Sequence, residues 1–210
     1  MGTNLNFSVF LISFIFCIPL FTKASGIQKY SGTSIQVYQL MHSGLIANSF
    51  AEAGTSQGIE LGSENDNNWT SIYGNGRLGL LSGTQKFVDG GSQRSLAFTY
   101  YQAQGELGFK IYPLERRKDG MSLFFKLGGT LTTHFLNLDK TATLTTLATS
   151  EQSLSAGYNV NLGASYIFAN ARGGRWGFVT EVAYKAETGT LAGKSDFNFG
   201  GFAVSLGLVF

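Results

Sequence analysis

The chain carries two histidines, His42 and His134, and one cysteine, Cys17, and these are the first residues to weigh for chemistry. Neither histidine has a carboxylate or a second histidine at ligand spacing, so the pattern predicts no metal centre. His42-Ser43 sets an imidazole beside a hydroxyl, the residue types of a general base and a nucleophile. Neighbours on a strand point to opposite faces, however, and a base must lie within hydrogen-bond reach of its nucleophile. The enzymatic reading is therefore ranked last, with no catalytic residue and no cofactor assigned. A richer set is made of charges: Arg77, Glu106, Lys110, Lys126, Glu181 and Lys185. Charges withdrawn from water must pair, so this set would either line a narrow pore or close it as an ionic plug. Arg116-Arg117-Lys118 is a further charge run, read as a solvated turn.

These side chains need elements to carry them, and the pattern along the chain has period two. Over 153–168, Leu154, Tyr158, Val160, Leu162 and Tyr166 alternate with Ser155, Asn159, Asn161 and Ser165. Over 176–187, Trp176, Phe178, Val182 and Tyr184 oppose Glu181, Lys185 and Glu187. Over 121–135, Met121, Leu123, Phe125, Leu127 and Leu131 oppose Ser122, Lys126, Thr130, Thr132 and His134. Over 95–112, Tyr101, Leu107, Phe109 and Ile111 oppose Gln102, Gln104, Glu106 and Lys110. Over 69–82, Ile72, Leu78 and Leu80 oppose Tyr73, Asn75 and Arg77. The last stretch, 198–210, sends Phe202, Val204, Leu206, Leu208 and Phe210 one way, and mostly small residues the other. A strand sends alternate side chains to opposite faces, so each segment owns an oily face and a polar or small one. Two further segments, 34–43 and 53–63, alternate poorly. Counting them gives eight strands, an even number that brings both ends of the domain to one rim and lets the sheet close.

The connections sort by length. Residues 64–67, 113–120 and 169–174 read as short turns with Asn, Asp, Pro or Gly signals. The alternate set, near 45–52, 83–94, 136–152 and 188–195, reads as longer loops, with 141–150 the favoured partner-binding surface. If the chain turns tightly about 113–120, Glu106 falls opposite Lys126 and Lys110 opposite Ser122. Twenty-eight glycines against two prolines, with many Phe, Tyr, Thr and Ser, is a strand-and-turn composition. The net charge is +2 and no basic cluster points to nucleic acid.

From Phe7 to Phe21 the chain is almost unbroken apolar, too short to span a bilayer as a helix but suited to a signal-peptide core. Ala24 and Gly26 offer a small-residue cleavage site. Residues 1–25 are thus expected to be a cleavable secretory signal, and 26–210 one barrel domain without cysteine. Phe16, just before Cys17, is too bulky for a lipoprotein-type cleavage site.

The terminal alternation ending on Phe210 resembles the closing strand of bacterial outer-membrane β-barrels. The whole pattern resembles the small eight-stranded barrels of the OmpA, OmpX and OmpW type. The hairpin 105–113 followed by 122–129 looks like one common in those families. The resemblance implies an all-β, transmembrane, antiparallel up-and-down barrel in the outer membrane. It implies that Phe202, Val204, Leu206, Leu208 and Phe210 form the signal read by the barrel-assembly machinery. It also implies short turns at the periplasmic rim and longer loops outside. Lipid offers no hydrogen bonds, so a sheet can cross it only by closing on itself. The polar face is assigned to the lumen and the oily face to lipid, the reverse of a lipocalin-like soluble barrel. Trp69, Tyr112, Tyr166, Phe168, Trp176 and Phe210 are expected in an interfacial aromatic belt.

The function expected is that of a non-enzymatic, monomeric envelope or surface-interaction protein with a plugged lumen. Its partners are outer-membrane lipid and, during biogenesis, the assembly machinery. A narrow pore for small or hydrophobic solutes is the alternative. A lipid-modifying enzyme, which some outer-membrane barrels are, comes third.

Overall fold

The computed structural model describes residues 30–42, 55–66, 69–89, 92–114, 116–117, 119–138, 150–169, 175–191 and 194–210. Every regular element among them is a strand: β1 (Tyr30–His42), β2 (Thr55–Asp66), β3 (Thr70–Asp89), β4 (Ser92–Ile111) and β5 (Gly120–Leu138). Then follow β6 (Ser150–Ala169), β7 (Arg175–Leu191), β8 (Lys194–Asn198) and β9 (Gly201–Val209). From β2 to β8 each strand pairs antiparallel with the one before it, and β9 pairs with both β7 and β1, closing the ring. β8 and β9 are two segments of one stave, interrupted at Phe199-Gly200, so the barrel has eight staves.

Alternation sorts the side chains as the pleat demands. Val37, Ile59, Leu78, Leu107, Leu127, Leu162, Val182 and Leu206, one from each stave, all stand on the outside. Leu162 is 67% exposed, whereas its neighbour Asn161 is 0% exposed. An exterior this apolar is compatible with lipid and not with water. Trp69, Tyr166, Phe168, Trp176 and Phe210 lie on that exterior; Phe168 stacks on Trp176 with ring centroids 4.6 Å apart.

Tyr112 does not join them. It shares the parity of Lys110, its backbone N–H donates to the Trp69 carbonyl at 2.9 Å, and its ring turns into the lumen beside Phe124 and Val179. The hairpin register also differs from expectation: Lys110 faces Lys126, and Glu106 faces Thr130. The connection is not a tight symmetric turn. Tyr112 follows β3, while Gly120 at φ 84° starts β5 along β6, and this stagger shifts the pairing.

Two of the expected long loops are short. β3 and β4 remain paired to Asp89↔Ser92, so most of 83–94 is strand. β7 and β8 take up most of 188–195. Residues 43–54 and 139–149, with most of the favoured 141–150 surface, and the expected signal 1–25 lie outside the described residues. The first two strands occur close to expectation but run three or four residues further toward the rim that holds the chain ends.

Candidate functional site

All six charges singled out in the sequence point into the lumen and are at most 5% exposed. An eight-stave barrel is just wide enough for side chains to meet across it. Three levels of contact fill the interior between the terminal rim and the loop rim.

At the terminal rim, Glu64 of β2 accepts from Lys110 Nζ at 2.6 Å and from Arg116 Nη2 at 3.3 Å. Arg116 thus folds back under the barrel rather than standing in solvent, and its guanidinium lies 5.6 Å from the Tyr112 ring centroid. Lys110 Nζ is also 4.1 Å from the Phe124 ring centroid. Phe124 occupies a position of lumen parity between Ser122 and Lys126, and Gly163 on the facing stave leaves room for its ring. Above it, Lys126 donates to Glu181, which also accepts from Gln36 Nε2 at 3.2 Å and from Asn161 Nδ2 at 2.8 Å. Ser205 Oγ in turn donates to Gln36 Oε1 at 2.8 Å.

At mid-barrel, Arg77 is paired with Glu60 and lies 3.6 Å from Glu106. Asn75 Nδ2 donates to Glu60 at 2.7 Å, and Arg77 Nη1 reaches Gln104 Oε1 at 3.3 Å. Gln104 passes the chain on, donating to Thr132 Oγ1 at 3.0 Å and to Glu187 Oε2 at 3.2 Å. Lys185 Nζ stands 3.3 Å from the same Glu187 oxygen.

Toward the loop rim the chemistry changes. His134 Nε2 meets Ser155 Oγ at 2.5 Å, Ser155 donates to Glu187, and the Tyr100 hydroxyl bonds His134 Nδ1. The His134 ring stacks on Phe199, with centroids 3.8 Å apart and planes within 10°. His42 grips the same residue from the adjoining stave: its Nδ1 donates to the Phe199 carbonyl at 3.1 Å, and its Nε2 meets Ser56 Oγ at 3.1 Å. Leu81, Phe98, Tyr100, Leu136, Phe197 and Phe199 form one buried apolar cluster around them.

The structure therefore brings together some expected residues and separates others. Lys126 pairs with Glu181, not with Glu106; Glu106 belongs to the Arg77 group, and Lys110 belongs to Glu64. The histidines lie on staves across the barrel from each other, yet both touch Phe199. Ser43, the hydroxyl considered beside His42, lies outside the described residues; the hydroxyls that meet the histidines are Ser56 and Ser155. Glu60, Glu64 and Glu187 are the carboxylates missing from the expected set. Glu187 was legible from its parity with Glu181 and Lys185. Glu60 and Glu64 were hidden because glycines at 58 and 62 blur the alternation of β2.

The Ser155–His134–Glu187 group has the residue types of a hydrolase triad but a different wiring. A triad carboxylate holds Nδ1 while the serine meets Nε2. Here Glu187 Oε1, at 3.4 Å, and Ser155 both lie on the Nε2 side, and the Ser155 proton is directed to Glu187. The three residues are 0–3% exposed.

A closed antiparallel ring, an oily exterior on every stave and a paired polar interior define a transmembrane β-barrel of the outer-membrane type. The outer membrane protein OprG from Pseudomonas aeruginosa has a similar structure. The TM-score is 0.61 at 12% identity, over 85% of this chain and 93% of that one. Ail, the attachment invasion locus protein of Yersinia pestis, aligns with a TM-score of 0.41 at 14% identity, over 87% of this chain and 97% of that one. No protein-family model matches the chain, and no curated protein matches it in sequence.

Proposed function

We propose that the protein is a non-conducting, non-enzymatic integral barrel of the bacterial outer membrane that scaffolds the envelope and presents its loop rim at the cell surface. One observation carries this reading. From Glu64 to His134 the lumen is crossed by successive ion pairs and hydrogen bonds, and Glu60, Glu106, Lys110, Lys126, Glu181, Lys185 and Glu187 are all at most 5% exposed. Buried charges held in ion pairs are costly to separate, so the network resists opening. The β3–β4 hairpin supports surface presentation, since β3 runs to Asp89 whereas its pairing with β2 ends at Leu80. The protomer acts as a monomer in lipid, and its closing strand, with Phe202, Val204, Leu206, Leu208 and Phe210, addresses the assembly machinery.

Refolded protein in planar bilayers tests the proposal. The expected result is no steady conductance, and expression is expected to leave lipid A acylation unchanged. A stable open level would promote the pore. The apolar cluster around Phe199, set beside the break between β8 and β9, favours hydrophobic solutes as the cargo in that event. Altered acylation would promote the lipid-modifying enzyme.

A further inference from the structure

We infer that the lumen carries a self-modification site, where the Lys126 amine condenses with the Asn161 side-chain amide, linking β5 to β6 covalently and releasing ammonia. The register sets Lys126 directly opposite Asn161. Such partners have Cβ atoms about 5 Å apart, well within the reach of a lysine side chain. Glu181 bridges the two: Lys126 Nζ donates to its Oε1, and Asn161 Nδ2 donates to its Oε2 at 2.8 Å. An ionised carboxylate only accepts, so this contact fixes the orientation of the amide. The nitrogen that must leave faces Glu181, and Asn161 Oδ1 faces Asn159, whose Nδ2 donates to it at 3.0 Å. Gln36 Nε2, itself held by Ser205, steadies Glu181 at 3.2 Å.

These four side chains supply the parts of an acyl transfer: a nucleophile, a proton carrier, a leaving nitrogen and a donor for the oxyanion. Glu181 takes one proton from the Lys126 ammonium along their hydrogen bond, which leaves the net charge of the buried pair unchanged. The freed lone pair forms the bond to Asn161 Cγ, and the carbonyl π electrons move to Oδ1, where the Asn159 amide meets them. Collapse of that intermediate breaks the bond to Nδ2, which leaves as ammonia with a proton relayed by Glu181. Of the three ammonium protons, one stays on the new amide, one departs in the ammonia and one ends on Glu181. An ion pair is exchanged for neutral groups, a gain in an interior where charge is costly. Lys126, Asn159, Asn161 and Glu181 are at most 4% exposed, and the Tyr73 and Phe124 ring centroids lie 5.0 and 5.4 Å from Lys126 Nζ. This setting keeps water from the amide. Lys110 and Lys185 lack the arrangement: Glu64 joins Lys110 to a guanidinium, and Lys185 and Gln104 meet the same oxygen of Glu187. The reaction turns over once on the chain's own side chains, so it is independent of whether the barrel conducts.

Intact mass spectrometry of the mature chain, before and after refolding in detergent, reads the reaction. We expect the folded protein, held for a day after its gel shift is complete, to be lighter by one ammonia. Trypsin then fails to cut after Lys126 and releases a branched peptide joining 119–140 to 141–172, a result that needs no variant to fold. Lys126→Arg keeps a cation for Glu181 but removes the primary amine, so it refolds at full mass. Asn159→Ala slows the loss of ammonia about a hundredfold, as for one lost oxyanion donor. A cyclic imide formed by Asn161 alone has the same mass as the cross-linked chain, but hydroxylamine cleaves the imide and leaves the cross-link intact. The inference is overturned by full mass in the folded unmodified protein, by loss of ammonia in Lys126→Arg, by an unchanged rate in Asn159→Ala, by hydroxylamine cleavage at 161, or by a branch at any other pair of residues.

Discussion

Toward the terminal rim the lumen is held by Lys126–Glu181 and Lys110–Glu64, with a cavity beside them; toward the loop rim it is held by stacked rings on Phe199. The two halves fill a cylinder of similar width in different ways. In the polar half each group specifies a partner, because an uncompensated buried charge has no alternative. In the aromatic half shape decides, and the polar atoms of His42, His134 and Tyr100 serve to hold rings in place. The comparison teaches that one barrel stores two kinds of stability, one sensitive to charge and one to volume.

The largest effect expected comes from breaking a pair in the polar half. Lys126→Met leaves Glu181 unpaired and costs about 3–5 kcal/mol, and adding Glu181→Gln recovers part of it. Urea unfolding in lipid vesicles measures both. A double-mutant cycle distinguishes the observed pairing from the sequence-based one. Lys126 with Glu181 couples by on the order of 1–3 kcal/mol, and Lys126 with Glu106 by less than about 0.5. Equal coupling would erase the register found here.

Phe199→Ala comes next, at about 3 kcal/mol, for removing the ring that stacks on His134 and packs beside Tyr100 leaves a hole. Phe199→Leu restores most of that loss if volume is what matters. Failure of Leu to restore it would mean the histidine stack, not the volume, is the stabilising feature.

The exterior extends the comparison to a third environment. Val160→Arg places a charge in lipid and costs about 2–4 kcal/mol at mid-bilayer. Asn161→Gln, one residue away in the lumen, disturbs folding less, and lipid-phase labelling reaches a cysteine at 160 but not at 161. Unboiled and boiled samples on an SDS gel show whether each variant closes. The smallest effect is Arg116→Ala, about 1 kcal/mol, because Glu64 keeps Lys110 as its partner after the change. A loss as large as that of Lys126→Met would make the turn part of the core.

What the sequence determined by itself was parity. Alternation in β3, β4, β5, β6, β7 and β9 separates Ile72 from Tyr73, Phe109 from Lys110 and Val160 from Asn161, since a strand leaves each residue only two directions. Closure and the oily exterior follow from that pattern and the needs of lipid. Parity cannot say which residue stands beside which. Register depends on where the 113–119 turn releases the chain and on the stagger of the closed barrel, so only the tertiary structure decided that Lys110 meets Lys126 and that Glu181 takes its charge. Nor could parity weigh size. Phe124 points inward with the polar residues where Gly163 leaves room for its ring, a fact written on another strand, and Tyr112 packs against it. The meeting of His42 and His134 on Phe199 belongs to the same class, being set by the narrow diameter of the barrel and the break in its last stave.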